Sequence, residues 1–152
     1  MGRKLLLTTL VLALGLSLSI ANAAPAAYVV KGTMTVTGGA NPTFHAVGVL
    51  CGSPTCKVSK SKTKFDLLGE MTQKLKNRCL GVGHATLTIF WPNGSLSKAY
   101  LDIFPLTGRS ISALGIVLTG ARKRARIAAT SLSTKDPCAG PAALSGLLAI
   151  SA

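Results

Sequence analysis

The stretch His84–Phe104, "HATLTIFWPNGSLSKAYLDIF", decides the fold. His84–Phe90 and Ser97–Phe104 each alternate apolar and polar residues around Pro92-Asn93-Gly94-Ser95, a turn signal. Alternation with period two marks strands with one buried face, because successive side chains point to opposite sides of a sheet. The faces also test the register. A two-residue Asn93-Gly94 loop sets apolar Ile89 against Lys98. A three-residue Asn93-Gly94-Ser95 loop sets Ile89 against Ala99, Leu87 against Leu101 and Ala85 against Ile103, with Thr86 against Asp102 on the other face. A one-residue slip would flip every side chain, so the pattern selects the longer loop.

The same period runs outward in both directions. Tyr28–Thr37, Phe44–Cys51, Lys57–Phe65, Ile111–Leu118, Lys123–Ser131 and Ala142–Ser151 read as strands, punctuated by glycine and proline. Residues 66–78 fit either a helix, with Glu70 and Lys74 as an i,i+4 pair, or a strand; Gly69 opposes the helix and the strand is preferred. Eight to nine short strands with frequent turns predict an all-β domain, an antiparallel β-sandwich or small β-barrel tied by disulfides.

The chain of 152 residues opens with the features of a secretory signal peptide. Arg3 and Lys4 precede an uncharged run, Leu5–Ile20, and Ala21-Asn22-Ala23 supplies a small-x-small cleavage site. Residues 1–23 are therefore expected to be removed before Ala24, leaving a single secreted domain over 24–152. The leader run is short for a membrane span, and no later segment reads as one. Cys51, Cys56, Cys79 and Cys138 all follow the leader. An even cysteine count in a small exported domain implies disulfides. Three pairings are possible; Cys51–Cys56, closing a tight loop, with Cys79–Cys138 is favoured. The spacing lacks a second close pair, so no zinc site is expected.

The stretch "GHATLTIFWPNGSLSKAYL", with His84, Thr86, Trp91, Asn93, Gly94 and Ser97, resembles the central signature of small exported β-rich proteins of high-GC Gram-positive bacteria. Their pattern is a cysteine, an alternating strand, then Trp-x-Asn/Asp-Gly-x-x-Ser. The tail "DPCAGPAALSGLLAIS", with Cys138, Gly140, Pro141 and Gly146, is similar to their closing segment. The resemblance covers roughly residues 79–151 and implies a β fold and a Cys79–Cys138 bridge. It implies no activity, and this chain departs from it in its high lysine and arginine content.

The inventory for catalysis is thin. Two histidines, His45 and His84, accompany four carboxylates, Asp66, Glu70, Asp102 and Asp136. His84 shares a polar face with Thr86 and Asp102, so a His84–Asp102 contact is conceivable. There is no G-x-S-x-G elbow, H-E-x-x-H, phosphate-binding loop or dinucleotide fingerprint. Ser95-Leu96-Ser97-Lys98 matches S-x-x-K, but it starts in a turn and no K-T-G accompanies it. No catalytic residue, metal ligand or cofactor is assigned. Trp91, the only tryptophan, follows Leu87 and Ile89 on the apolar face and is expected at the core or its edge.

Charge is the remaining signal. Without the leader the chain has 15 cations against four acids, a formal charge of +11. Nine of the cations fall into three i, i+2, i+4 triplets: Lys60, Lys62, Lys64; Lys74, Lys76, Arg78; and Arg122, Arg124, Arg126. In a strand each triplet would share one face. The triplets fit the wet faces of a half-buried sheet, where lysine also keeps edges from pairing. Yet like charges side by side destabilise a sheet, and serine or threonine would wet a face as well. The functional expectation is an exported, non-enzymatic protein that contacts a polyanionic polymer or surface through basic strand faces. Wall polymer, acidic glycan and nucleic acid backbone all fit. The alternatives are a small secreted hydrolase using His84, and a protein-binding toxin, inhibitor or adhesin.

Overall fold

A strand that is apolar on one side must cover that side, and a sheet can do so by curling onto itself. The computed structural model describes residues 24–52, 55–73, 80–107 and 109–152. The expected signal peptide lies outside them, as do Cys79, Lys74, Lys76 and Arg78. Eight strands follow in chain order: β1 (Ala26–Thr37), β2 (Thr43–Cys51), β3 (Thr63–Gln73), β4 (Val82–Phe90), β5 (Leu96–Pro105), β6 (Ser110–Gly120), β7 (Arg126–Ser133) and β8 (Ala142–Ser151). Each pairs antiparallel with the next, and β8 pairs back onto β1, closing a barrel. Closure removes every sheet edge.

Inward positions carry the core: Val30 and Met34, Phe44 and Leu50, Phe65 and Leu67, Leu87 and Ile89, Leu101 and Ile103, Ile127, and Leu148 and Ile150. The residual internal cavity is only about 40 Å³ and is lined mainly by these apolar side chains. Pockets for small molecules run to roughly 300–1,000 Å³, so the interior is a packed core rather than a ligand chamber. A wall this tightly coiled needs glycine where neighbouring backbones close in. A Cβ on Gly115 would sit 1.9 Å from the Tyr100 carbonyl oxygen, and one on Gly48 2.1 Å from that of Lys31.

Several expectations are corrected. The β4–β5 loop has three residues, as its faces require, but they are Pro92-Asn93-Gly94. Trp91 N–H donates to the Ser95 carbonyl at 2.9 Å, and Gly94 takes the left-handed conformation at φ 82°. A three-residue hairpin needs such a residue in third place, which glycine fills and Ser95 would not. Partners therefore shift by two: Leu87 pairs with Ala99, Ala85 with Leu101, and His84 with Asp102. A shift of two preserves the faces.

The strand expected over Lys57–Phe65 starts only at Thr63 and continues to Gln73, absorbing the described part of the ambiguous segment as strand. Residues 58–60 form a 3-10 turn instead. The Lys57 carbonyl accepts from the Lys60 and Ser61 N–H groups, and Ser61 Oγ donates to the Leu50 carbonyl at 2.6 Å. The Cys51–Cys56 disulfide is formed, holding the loop base with Cα atoms 5.3 Å apart. Cys138 is also disulfide-bonded; the partner expected for it, Cys79, lies outside the described residues.

Candidate functional site

Up-and-down topology assigns every connection to one of two ends. The β2–β3, β4–β5 and β6–β7 connections all lie at the end where β1 begins. This end holds Lys57, Lys60, Lys62 and Lys64 on one connection and strand start, and Arg122, Lys123, Arg124 and Arg126 on another. Two of the three sequence triplets thus meet at one end. The strand ends that residues 74–78 join, Gln73 and Val82, face the opposite end.

The triplets do not lie on strand faces. Lys60 closes the 3-10 turn, Lys62 precedes β3, and Lys64 alone is in a strand. Arg122 and Arg124 belong to the β6–β7 turn, and β7 begins at Arg126. Spacing of i, i+2, i+4 is satisfied by a turn as well as by a strand; Gly120, at φ 84°, is the sequence sign of the turn.

The turn is built at a cost. β6 outruns β7, so Lys98 pairs with Thr119 and Ser97 with Gly120 on β5 alone. The chain returns through bonds from Arg124 N–H to the Val117 carbonyl and from Val117 N–H to the Ala125 carbonyl, each 2.8 Å. Between them Arg122 and Arg124 take left-handed backbone, at φ 61° and 74°. Such a conformation costs an L-residue roughly 1–2 kcal/mol, and glycine or asparagine would fill it more readily.

Arg122 is anchored. Its Nη2 donates to Tyr28 Oη at 3.2 Å, and its guanidinium lies 4.8 Å from the Trp91 ring centroid. Trp91 packs at the core edge, 6.1 Å from the Tyr28 ring, as its place on the apolar face predicts. Its Nε1 donates to buried Ser97 Oγ at 2.8 Å, and Ser97 Oγ donates to the Ala121 carbonyl. Core, tryptophan and basic turn are thus one connected structure. Among the described residues no carboxylate pairs with Arg122, Lys123, Arg124 or Arg126; the only ion pairs there are His45–Asp66 and His84–Asp102.

Those two pairs occupy the outer wall. His45 Nε2 meets Asp66 Oδ1 at 3.0 Å across β2–β3, and His84 Nδ1 meets Asp102 Oδ1 at 2.9 Å across β4–β5. Glu70 pairs in register with His84, and the His84 ring stacks on Tyr100 at 5.4 Å. Together with Thr43, Leu68 and Thr86 they border a shallow hollow of about 420 Å³. An imidazole held by a carboxylate is half of a hydrolytic triad, but among the described residues no serine, threonine or cysteine side chain hydrogen-bonds His84. No group of three His, Cys, Asp or Glu side chains there could hold a metal ion.

Sequence reasoning missed the apolar part of the basic end. Phe90, Leu96 and Leu118 point outward there, 44%, 41% and 50% exposed. The alternation around them was readable, but which end of the barrel they occupy depends on topology.

No protein-family model matches the chain, and neither a curated protein nor a solved structure shows significant similarity to it.

Proposed function

We propose that the protein is an exported, non-enzymatic binder of polyanions that engages them with the basic end of its barrel. The observation that carries this reading is the convergence of Lys57, Lys60, Lys62, Lys64, Arg122, Lys123, Arg124 and Arg126 at one end. Asp66, Glu70 and Asp102 lie instead along β3 and β5, and the first and last face a histidine. The cations form two like-charged runs, one on the β2–β3 connection and one on the β6–β7 turn. Like charges within a run oppose folding, so their grouping points to a partner that neutralises them. The left-handed arginines support the same reading, since backbone strain gathers at ligand clamps.

Arg122 and Arg124 offer planar forks for phosphate, sulfate or carboxylate groups, and the lysines act as point charges. Pinning of Arg122 by Tyr28 and Trp91 orders that side chain before binding. Export rests on the leader sequence and agrees with the formed disulfide. No helix among the described residues is long and apolar enough to cross a membrane. The interior is apolar, whereas the lumen of a spanning barrel is polar, and the outer wall mixes His45, Asp66, Glu70, His84 and Asp102 on β2–β5 with exposed Leu114, Ile116 and Leu147 on β6 and β8.

The test is replacement of Arg122, Arg124 and Arg126 by serine. Heparin affinity should fall and its salt dependence flatten. Retention equal to the parent protein's would remove the proposal. Hydrolysis through His84 is a second reading, favoured by the Asp102 contact. It requires turnover of some ester or glycoside that disappears in His84→Ala.

A further inference from the structure

The anion reading names a charge but not a partner, and the apolar side chains at the same end narrow the choice. Across the basic end, Lys64 pairs with Phe90, Phe90 pairs with Leu96, and the Leu96 carbonyl accepts from Ala121 N–H at 2.9 Å. A row of neighbours therefore runs from a lysine, through two exposed apolar side chains, to the arginine turn. Leu118 adds a third at the β5–β6 bulge, beside Thr119 and Lys98. Exposed apolar side chains occur elsewhere on the wall, at Leu68 and Leu147 and along β6 at Leu114 and Ile116, where few cations accompany them. Among the described residues the opposite end also has exposed Phe104, Leu106 and Leu132, but beside only Arg109 and Lys135, so what sets the basic end apart is the number of cations that accompany its apolar side chains.

We infer that the polyanion is the surface of an anionic lipid bilayer, met end-on by the barrel. This inference rests on the anion-binding reading above. A hydrated polymer such as heparin or nucleic acid rewards the cations but gives aliphatic side chains nothing to enter. A bilayer rewards both: headgroups take the lysines and arginines, and the acyl boundary takes Phe90, Leu96 and Leu118. Tyr28 and Trp91 at the same end are the aromatic types favoured at that boundary. The end-on pose also leaves Glu70 and Asp102, farther along the wall, in water.

The only tryptophan in the chain, Trp91, reports on this end directly. All eight strands lie within residues 26–151, so the chain from Ala24 carries the whole barrel. Its Trp91 emission is followed against phosphatidylcholine vesicles, equimolar phosphatidylcholine–phosphatidylglycerol vesicles, and heparin, in about 0.15 M salt. The expected result is a blue shift with the phosphatidylglycerol vesicles alone among the lipids, and quenching by brominated acyl chains. L96S/L118S should weaken vesicle binding about ten-fold while heparin affinity holds. Substituting Arg122, Arg124 and Arg126 should weaken both. Heparin binding without vesicle binding, or vesicle binding indifferent to L96S/L118S and to brominated lipid, overturns the lipid assignment and leaves the anion reading standing. Binding to neither overturns both.

Discussion

The outer wall of β2–β5 and the basic end of the barrel are both charged, and they use charge in opposite ways. On the wall, carboxylates meet hydrogen-bonding partners across strands: His45 faces Asp66, and His84 faces Asp102. At the end, Arg122, Lys123, Arg124 and Arg126 share one sign, and two of them sit in unfavourable backbone. The wall's charges find their partners within the fold. At the end, Arg122 meets only Tyr28 and Trp91, and no carboxylate among the described residues pairs with the turn's cations. The comparison gives a rule that mutation can break: changes in the wall should alter stability and spare anion binding, and changes at the end should do the reverse.

The largest effect is expected within the wall. Gly115→Ala forces a Cβ against the Tyr100 carbonyl and should cost about 3 kcal/mol in urea unfolding, while the folded fraction still binds heparin. Removing the six-residue Cys51–Cys56 loop closure with C51S/C56S should cost about 2 kcal/mol in the chain-entropy model. The β2–β3 connection that this bridge ties down continues through Lys57, Lys60 and Lys62, so binding should weaken slightly, and this variant probes whether the two regions are separable.

Arg124→Gly should behave in the opposite sense. Relief of the left-handed conformation should leave stability unchanged or raise it by up to about 1 kcal/mol, while heparin affinity drops. A loss of stability there would show that the turn depends on its arginine. The smallest effect is expected for Asp102→Asn, about 0.5 kcal/mol or less, because the His84 and Asp102 side chains are 43% and 52% exposed and solvent screens the pair.

How far the sequence reveals this molecule differs between the same two regions. The wall was readable because burial imposes a period of two, and the faces of β4 and β5 followed even though their register did not. The register turned on which residue fills one left-handed position, Gly94 or Ser95, a choice that alternation does not constrain. Barrel closure was not readable, because β1 meets β8 across the length of the domain. The nearest signal was the inward-facing glycine in mid-strand, at Gly32, Gly48, Gly69, Gly83, Gly115 and Gly146, a mark of a strongly coiled wall. The basic end was readable as composition and misread as strand faces. A turn between β6 and β7 and a 3-10 turn before β3 reproduce the spacing of a strand, and hydrogen bonds decide between them.

Position rather than total charge is the central claim, and a matched comparison tests it. R122S/R124S/R126S and a control, K31S/R109S/K135S, each remove three cations, but the control takes them from β1 and the opposite end. The measurement is the slope of log affinity against log salt for a short DNA duplex, where each phosphate contact contributes about 0.9. The slope should flatten by nearly three for the first variant and hardly change for the second. Equal flattening in both would mean that net charge alone attracts the polyanion and that the barrel has no dedicated basic end.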